Sequence, residues 1–198
     1  MRDTLTLTRR RALGLAAGSV AGAALLSACN LAPSASASSS PIPLYLTLVS
    51  DAMTGKKDWP AYVPTDLTVP AHSTIAVRIV QFDDGAAPLP ANSPYAKVTG
   101  VVGGSATAQA LTATDPNNPG APKAYQELAV SDVAHTFTVD GLKINVPLPV
   151  SAVVSFSFES GDPGTFHWMC MAPCGGDPQG YGTAMYRANY MMGTLRVV

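Results

Sequence analysis

Residues 161–175, GDPGTFHWMCMAPCG, contain a turn, a strand and a loop in direct succession. GDPG is a turn signal. TFHWMC at 165–170 then alternates, with Phe166, Trp168 and Cys170 on one face and His167 and Met169 on the other. A face carrying two aromatic rings belongs in a core. Cys170 therefore ends a strand facing inward, at a rim that loops can reach. His167 faces away and reads as a surface or outer-layer histidine, not a partner for Cys170.

The same period recurs along the chain. LYLTLV at 44–49, IAVRIVQF at 75–82, KVTGVV at 97–102, ATAQALT at 106–112, HTFTV at 135–139, AVVSFSF at 152–158 and TLRVV at 194–198 are alternating or β-branched runs. PAHS, DDG, DPNNPG and VDGL punctuate them. Seventeen prolines and seventeen glycines discourage long helices. Seven or eight short strands predict an all-β Greek-key sandwich or barrel. Residues 83–126 are long and polar and are expected to form an excursion on its edge.

Cys170 and Cys174 lie four apart, and five of the seven methionines (Met169, Met171, Met185, Met191 and Met192) gather around them. Soft sulfur donors in this density point to a soft metal such as copper, and to Cu(I) over Cu(II). Two exported cysteines this close also fit a plain disulfide without metal. Zinc and thiol redox chemistry fit less well, because redox pairs of the thioredoxin kind use C-x-x-C at a helix N-terminus. No histidine follows Cys174. His72, in VPAHST, reads as a polar turn residue that reaches a site only if the excursion folds over the barrel. Either Met191 or Met192 must face inward. Asp83, Asp84, Asp132, Asp140, Glu159 and Asp162 fall in turn signals, where carboxylates cap and solubilise. No nucleophile or acid–base pair is apparent, so no enzyme activity is expected.

The N-terminus reads as an export signal, with a basic start, an Ala/Gly/Leu run and a small-residue ending over residues 1–28. Arg9 and Arg10 within TRRRAL resemble a twin-arginine signal, and LSAC at 26–29 resembles a bacterial lipobox with Cys29 as the lipidated residue. Residues 29–41 then form a Ser/Ala-rich tether and residues 42–198 the domain. These expectations place the protein on the outer face of the bacterial cytoplasmic membrane, held by lipid. Four of the 12 basic and one of the 13 acidic residues fall in the signal, leaving 8 against 12. That balance has no basic patch, which argues against nucleic acid as a partner.

DVAHTFTVDGLKINVPLP at 132–149, then GDPGTFHWMCMAPCG, then YMMGTLRV at 190–197, resemble the cupredoxin family, and most of all the copper (CuA) domain of cytochrome c oxidase subunit II. The resemblance implies copper held by His135, Cys170, Cys174 and Met191, with Ala172 as the counterpart of a carbonyl ligand. The family's second histidine, four residues past the second cysteine, is replaced here by Pro178, and the loop before Met191 is longer. The resemblance thus implies half of a dinuclear site, suited to copper handling or electron transfer with a respiratory or copper-transfer partner.

Cys29→Ser is expected to abolish lipid attachment and release the protein from membranes. Fractionation and mass spectrometry of the processed N-terminus check this. Unchanged processing with retained membrane attachment would refute the lipobox.

Overall fold

A computed structural model describes residues 40–112, 119–174 and 183–198. Arg9, Arg10, Cys29, the signal, most of the tether and Pro178 lie outside the described residues. Among the described residues, the unit from Ser38 to Val198 is all-β apart from one four-residue helix and a few 3-10 turns. No helix among the described residues is long and apolar enough to cross a membrane.

Eleven strands are described: β1 (Ile42–Val49), β2 (Ala61–Val63), β3 (Asp66–Val69), β4 (Thr74–Gln81), β5 (Ala106–Ala110), β6 (Lys123–Tyr125), β7 (Val133–Val139), β8 (Ile144–Pro149), β9 (Ala152–Glu159), β10 (Gly164–Met169) and β11 (Met192–Val197). They form a six-stranded sheet, β2-β1-β4-β9-β5-β6, and a five-stranded sheet, β3-β11-β10-β7-β8. The chain crosses between the sheets repeatedly: β7 and β8 pair in one, β9 joins the other, and β10 and β11 return. This is the expected all-β, two-layer sandwich, with more strands than the seven or eight foreseen.

The discrepancy has a pattern. The four unforeseen strands, β2, β3, β6 and β8, are the four sheet edges. Edge strands are kept short or interrupted by proline to discourage pairing with other chains, which also erases their periodic signal. β8 carries Pro147 and Pro149. Conversely, KVTGVV at 97–102 is not a strand. Lys97 and Thr99 make only isolated bridges, to Glu127 and Asn145. Gly100 turns the chain at φ +70°, so close to the Lys143–Ile144 backbone that a side chain would not fit.

The excursion is also more than a polar edge. It buries Ala87, Leu89, Ala96, Val98 and Ala106 and supplies β5 and β6. The Asn145 side chain donates to the carbonyls of Tyr95 (3.1 Å) and Lys97 (2.6 Å), and receives a bond from Thr138 Oγ1. The 94–97 segment is thereby fastened to β7 and β8, where Thr136 and Thr138 are buried.

The core between the sheets holds Trp168, Tyr62, Phe137 and Phe158 among its largest members. Trp168 meets Tyr62 edge-on at 4.9 Å and lies 5.5 Å from Phe137. Two tyrosine hydroxyls reach across the sandwich, Tyr62 to the Thr136 carbonyl (3.0 Å) and Tyr125 to the Pro147 carbonyl (2.7 Å). Trp168 fits because its register partner is Gly193. A Cβ there would sit 2.7 Å from the indole and collide with the Thr65 carbonyl, which accepts the indole N–H at 3.0 Å.

Gly193→Ala is therefore expected to destabilise the domain by about 1–3 kcal/mol through overpacking. A lowered urea midpoint with an unchanged slope would register it. An unchanged midpoint would show that the Trp168 wall is soft.

Candidate metal centre

His135, Cys170 and Cys174 come together at one end of the sandwich, all buried, with their ligand atoms within 4.8 Å of one another. Local structure explains each placement. β7 shifts register against β8 between Val133 and His135, so Ala134 is the extra residue of a bulge. Past the bulge His135 shares the inner face with Phe137, while Thr136 and Thr138 face out. Bulges of this kind re-aim side chains beside functional sites. Cys170 continues the inward row of Trp168, as its alternation requires, and its N–H donates to the Met191 carbonyl at 2.8 Å. The loop then tightens: Cys174 N–H bonds the Ala172 carbonyl at 2.8 Å, a three-residue turn that folds the second thiol back on the first. The Thr136 hydroxyl clamps that loop from outside by accepting the Met171 N–H at 2.7 Å.

The thiols are not joined; their sulfurs stand 3.3 Å apart. His135 Nδ1 lies 3.9 Å from Cys170 Sγ, and the Thr136 N–H donates to that sulfur at 3.4 Å. The Ala172 carbonyl oxygen is 3.7 Å from Cys170 Sγ. Met191 is fully buried, whereas Met192 opposes Met169 on the outer face of the β10–β11 pair. Of the two methionines, Met191 is the inward one. His72 forms a 3.6 Å pair with Asp162 and is exposed, outside the cluster, as its turn reading implied. His167 is exposed as well.

Asp83 caps its turn as expected, with Oδ1 accepting the Gly85 N–H at 3.1 Å, but it also has a role that sequence reasoning missed. Just beyond β4, its carboxylate accepts from or pairs with His135 Nε2 at 3.0 Å. It is a partner of the site, not a simple turn carboxylate. QFDDG marks a turn whatever the second role of its aspartate, and only the folding of 83–87 along β7, sealed by Ala87 N–H to the Val133 carbonyl (3.0 Å), reveals it.

The protonation pattern follows from this geometry. Burial opposes charge on His135, but hydrogen bonds to Asp83 and Cys170 and the negative charges of both raise its pKa to about 9. Burial likewise opposes the Asp83 charge, and the His135 hydrogen bond and charge overcome it, holding Asp83 below its ordinary value. Cys170 is held well below the usual thiol range. Burial resists this, and the Cys174 hydrogen bond, His135 and the Thr136 N–H prevail. Cys174 is pushed up, first by its hydrogen bond to Cys170, then by burial and the neighbouring charge. Metal-free, the site thus favours negative charge on Cys170, a neutral thiol on Cys174 and a proton on His135 backed by the Asp83 carboxylate.

The donor chemistry fits a soft ion. The surroundings favour loss of the Cys170 proton and retention of the Cys174 proton, and the imidazole has Nδ1 turned toward the sulfurs with Nε2 anchored on Asp83. Carboxylate–histidine–metal arrangements of this kind fix the ring and strengthen it as a ligand. A cavity of about 300 Å³, lined in part by Asp51, Asp58, Asp83 and Asp84, reaches His135 and Cys174 from solvent. Its acidic walls favour approach of a cation.

Comparison with known proteins adds little to this geometry. No protein-family model and no curated protein matches the chain. Among solved structures, auracyanin B is similar, at 15% identity over 81% of this chain and 91% of that one, with a TM-score of 0.38. The His/Cys/Cys cluster itself is compatible with a metal such as copper.

Two outcomes are expected. Asp83→Asn should weaken metal binding by about 10- to 100-fold while leaving stoichiometry unchanged. An unchanged affinity would show that the anchor is dispensable. Metal must also displace protons from His135 and Cys174, so affinity should rise with pH by about tenfold per unit for each proton displaced. The His135 contribution should end as pH passes about 9, where that proton is already lost. Chelator competition across pH 6–9 measures the slope, and a flat profile would contradict the protonation pattern.

Proposed function

We propose that this protein is an exported, cupredoxin-like copper-binding protein, held by lipid on the outer face of the bacterial cytoplasmic membrane. It binds one Cu(I) through His135, Cys170, Cys174 and Met191. It handles copper, or passes electrons, in the service of a respiratory oxidase, and is not itself an enzyme. The observation that carries this reading is the convergence of one imidazole and two unjoined thiols, all buried, within 4.8 Å. Such a set suits the softer copper ion, since thiolate and thioether donors prefer Cu(I). Blue-copper sites take two histidines and one cysteine. Here the single histidine makes capture and delivery the more natural task than tuned one-electron transfer.

A second reading keeps the fold and drops the metal: a binding or structural module with a Cys170–Cys174 disulfide. It draws on the 3.3 Å separation of the two sulfurs, which a small side-chain rotation would close.

Competition titration of the reduced chain with a tight Cu(I) chelator separates the two. One copper retained per chain is expected. Cys170→Ser and Cys174→Ser should cost most affinity, because the thiolates supply both charge and soft donors. His135→Ala should cost less and Met191→Leu least. Two coppers retained against that chelator, or an affinity indifferent to both cysteines, would overturn the four-ligand site. No copper bound by fully reduced protein would leave the metal-free module.

A further inference from the structure

The alternation that turns Cys170 and Met191 inward turns their neighbours outward. Met169 and Met192 are register partners across β10 and β11. Directly opposed residues on a β-ladder carry Cβ atoms only about 4.5–5.5 Å apart, so the two thioethers share one patch. His167 stands two residues before Met169, on the same outer face, opposite Thr194. These three side chains line a single surface groove of about 330 Å³, together with Asp140. Met169 and Met192 are half-buried and His167 is exposed. Among the described residues, the His167 ring makes no hydrogen bond or ion pair.

The excursion fastens over β7 and β8 beside this groove, while the β10–β11 outer face stays accessible. Met169 packs in part against the core, but apolar packing alone does not call for two thioethers beside a histidine. Apolar contact would be served as well by leucine, and solubility better by charge. What the three share is chemistry: two thioethers and an imidazole are neutral, soft or borderline donors.

We propose that Met169, Met192 and His167 form a second, exposed site for a soft monovalent metal cation, Cu(I) or Ag(I), on the outer face of the sandwich. Lacking thiolates, it binds more weakly than the buried cluster and exchanges faster. Its thioethers select against Zn(II), which prefers thiolate, imidazole and carboxylate donors. The nearby Asp140 carboxylate adds a favourable field without being required as a ligand. The site does not depend on the buried cluster holding metal, so the two can fail separately.

Ag(I), which is redox-inert under these conditions, is the probe. The full chain, labelled with 13C at the methionine methyl groups, is titrated after the Cys170→Ser/Cys174→Ser change removes the buried thiols. The first equivalent should shift the Met169 and Met192 methyl signals and the His167 ring together. Met53, exposed and not among the groove's lining residues, serves as the control for unspecific thioether binding. Met169→Leu/Met192→Leu, close in volume, should preserve the fold and lower affinity by about tenfold or more. His167→Ala should also weaken binding, and Zn(II) should leave the methyl signals in place. If the serine pair does not fold, the reduced wild-type chain gives the same reading from its second equivalent. Met169 and Met192 shifting no more than Met53 would overturn the site. So would an affinity unchanged by the leucine pair or by His167→Ala.

Discussion

The Asp83–His135 contact joins the two halves of this sandwich at their functional end. Asp83 hangs from β4 in the six-stranded sheet and His135 belongs to β7 in the five-stranded one. Burying an imidazole beside two thiols costs free energy unless each polar atom is matched. The carboxylate matches Nε2, Cys170 faces Nδ1, and the Thr136 N–H and the Cys174 thiol meet Cys170 Sγ. Each link polarises the next, as expected for hydrogen bonds in a low-dielectric interior. Without Asp83 the ring would lose its anchor and one of the two negative partners that raise its affinity for protons. The excursion that carries Asp83 is thus bound to the site by chemistry as well as by its buried alanines and leucine.

Not every buried polar group is so well matched. Both amide atoms of Gln81, two residues before Asp83 and fully buried, have no hydrogen-bond partner among the described residues. An unsatisfied buried group costs about 1–3 kcal/mol. Its position on the inner face of β4, at the end where the cluster lies, gives it a different character from the apolar residues that precede it. Val77 and Ile79 build the core, and Gln81 interrupts that row where the sandwich changes from packing to chemistry.

What could be read from sequence was whatever has a period or a fixed spacing. Alternation in TFHWMC placed Trp168 and Cys170 inside and His167 and Met169 outside, and the structure agrees. Central strands carried the same signal because both faces of a β-strand have different neighbours. Edges did not: β2 and β6 have three residues each and β8 is broken by prolines, so length and composition hid them. The convergence of His135 with the cysteines came from family likeness. The bulge at Ala134, which aims the ring, is set by the pairing of β7 with β8, and the partnership with Asp83 joins residues 52 apart, so no local pattern encodes either.

The two fates open to the thiols compete for the same electrons. A bound soft ion uses both sulfur lone pairs and holds the sulfurs apart, whereas a disulfide consumes them. Oxidation to the disulfide needs a two-electron acceptor, or two one-electron acceptors such as two Cu(II) ions, each becoming Cu(I). The same soft donors that would suit the cluster to Cu(I) therefore leave it open to oxidation by Cu(II). The protonation pattern moderates this. The Cys174 hydrogen bond, His135 and the Thr136 N–H pull the Cys170 pKa down, while the Cys174 pKa is pushed up and its thiol donates a hydrogen bond to Cys170 Sγ. A thiolate is the reactive form, and a thiol kept neutral by burial is slow to oxidise. Held this way, one sulfur is ready to receive a cation and the other waits on the loss of a proton, which an arriving metal ion supplies the driving force to remove.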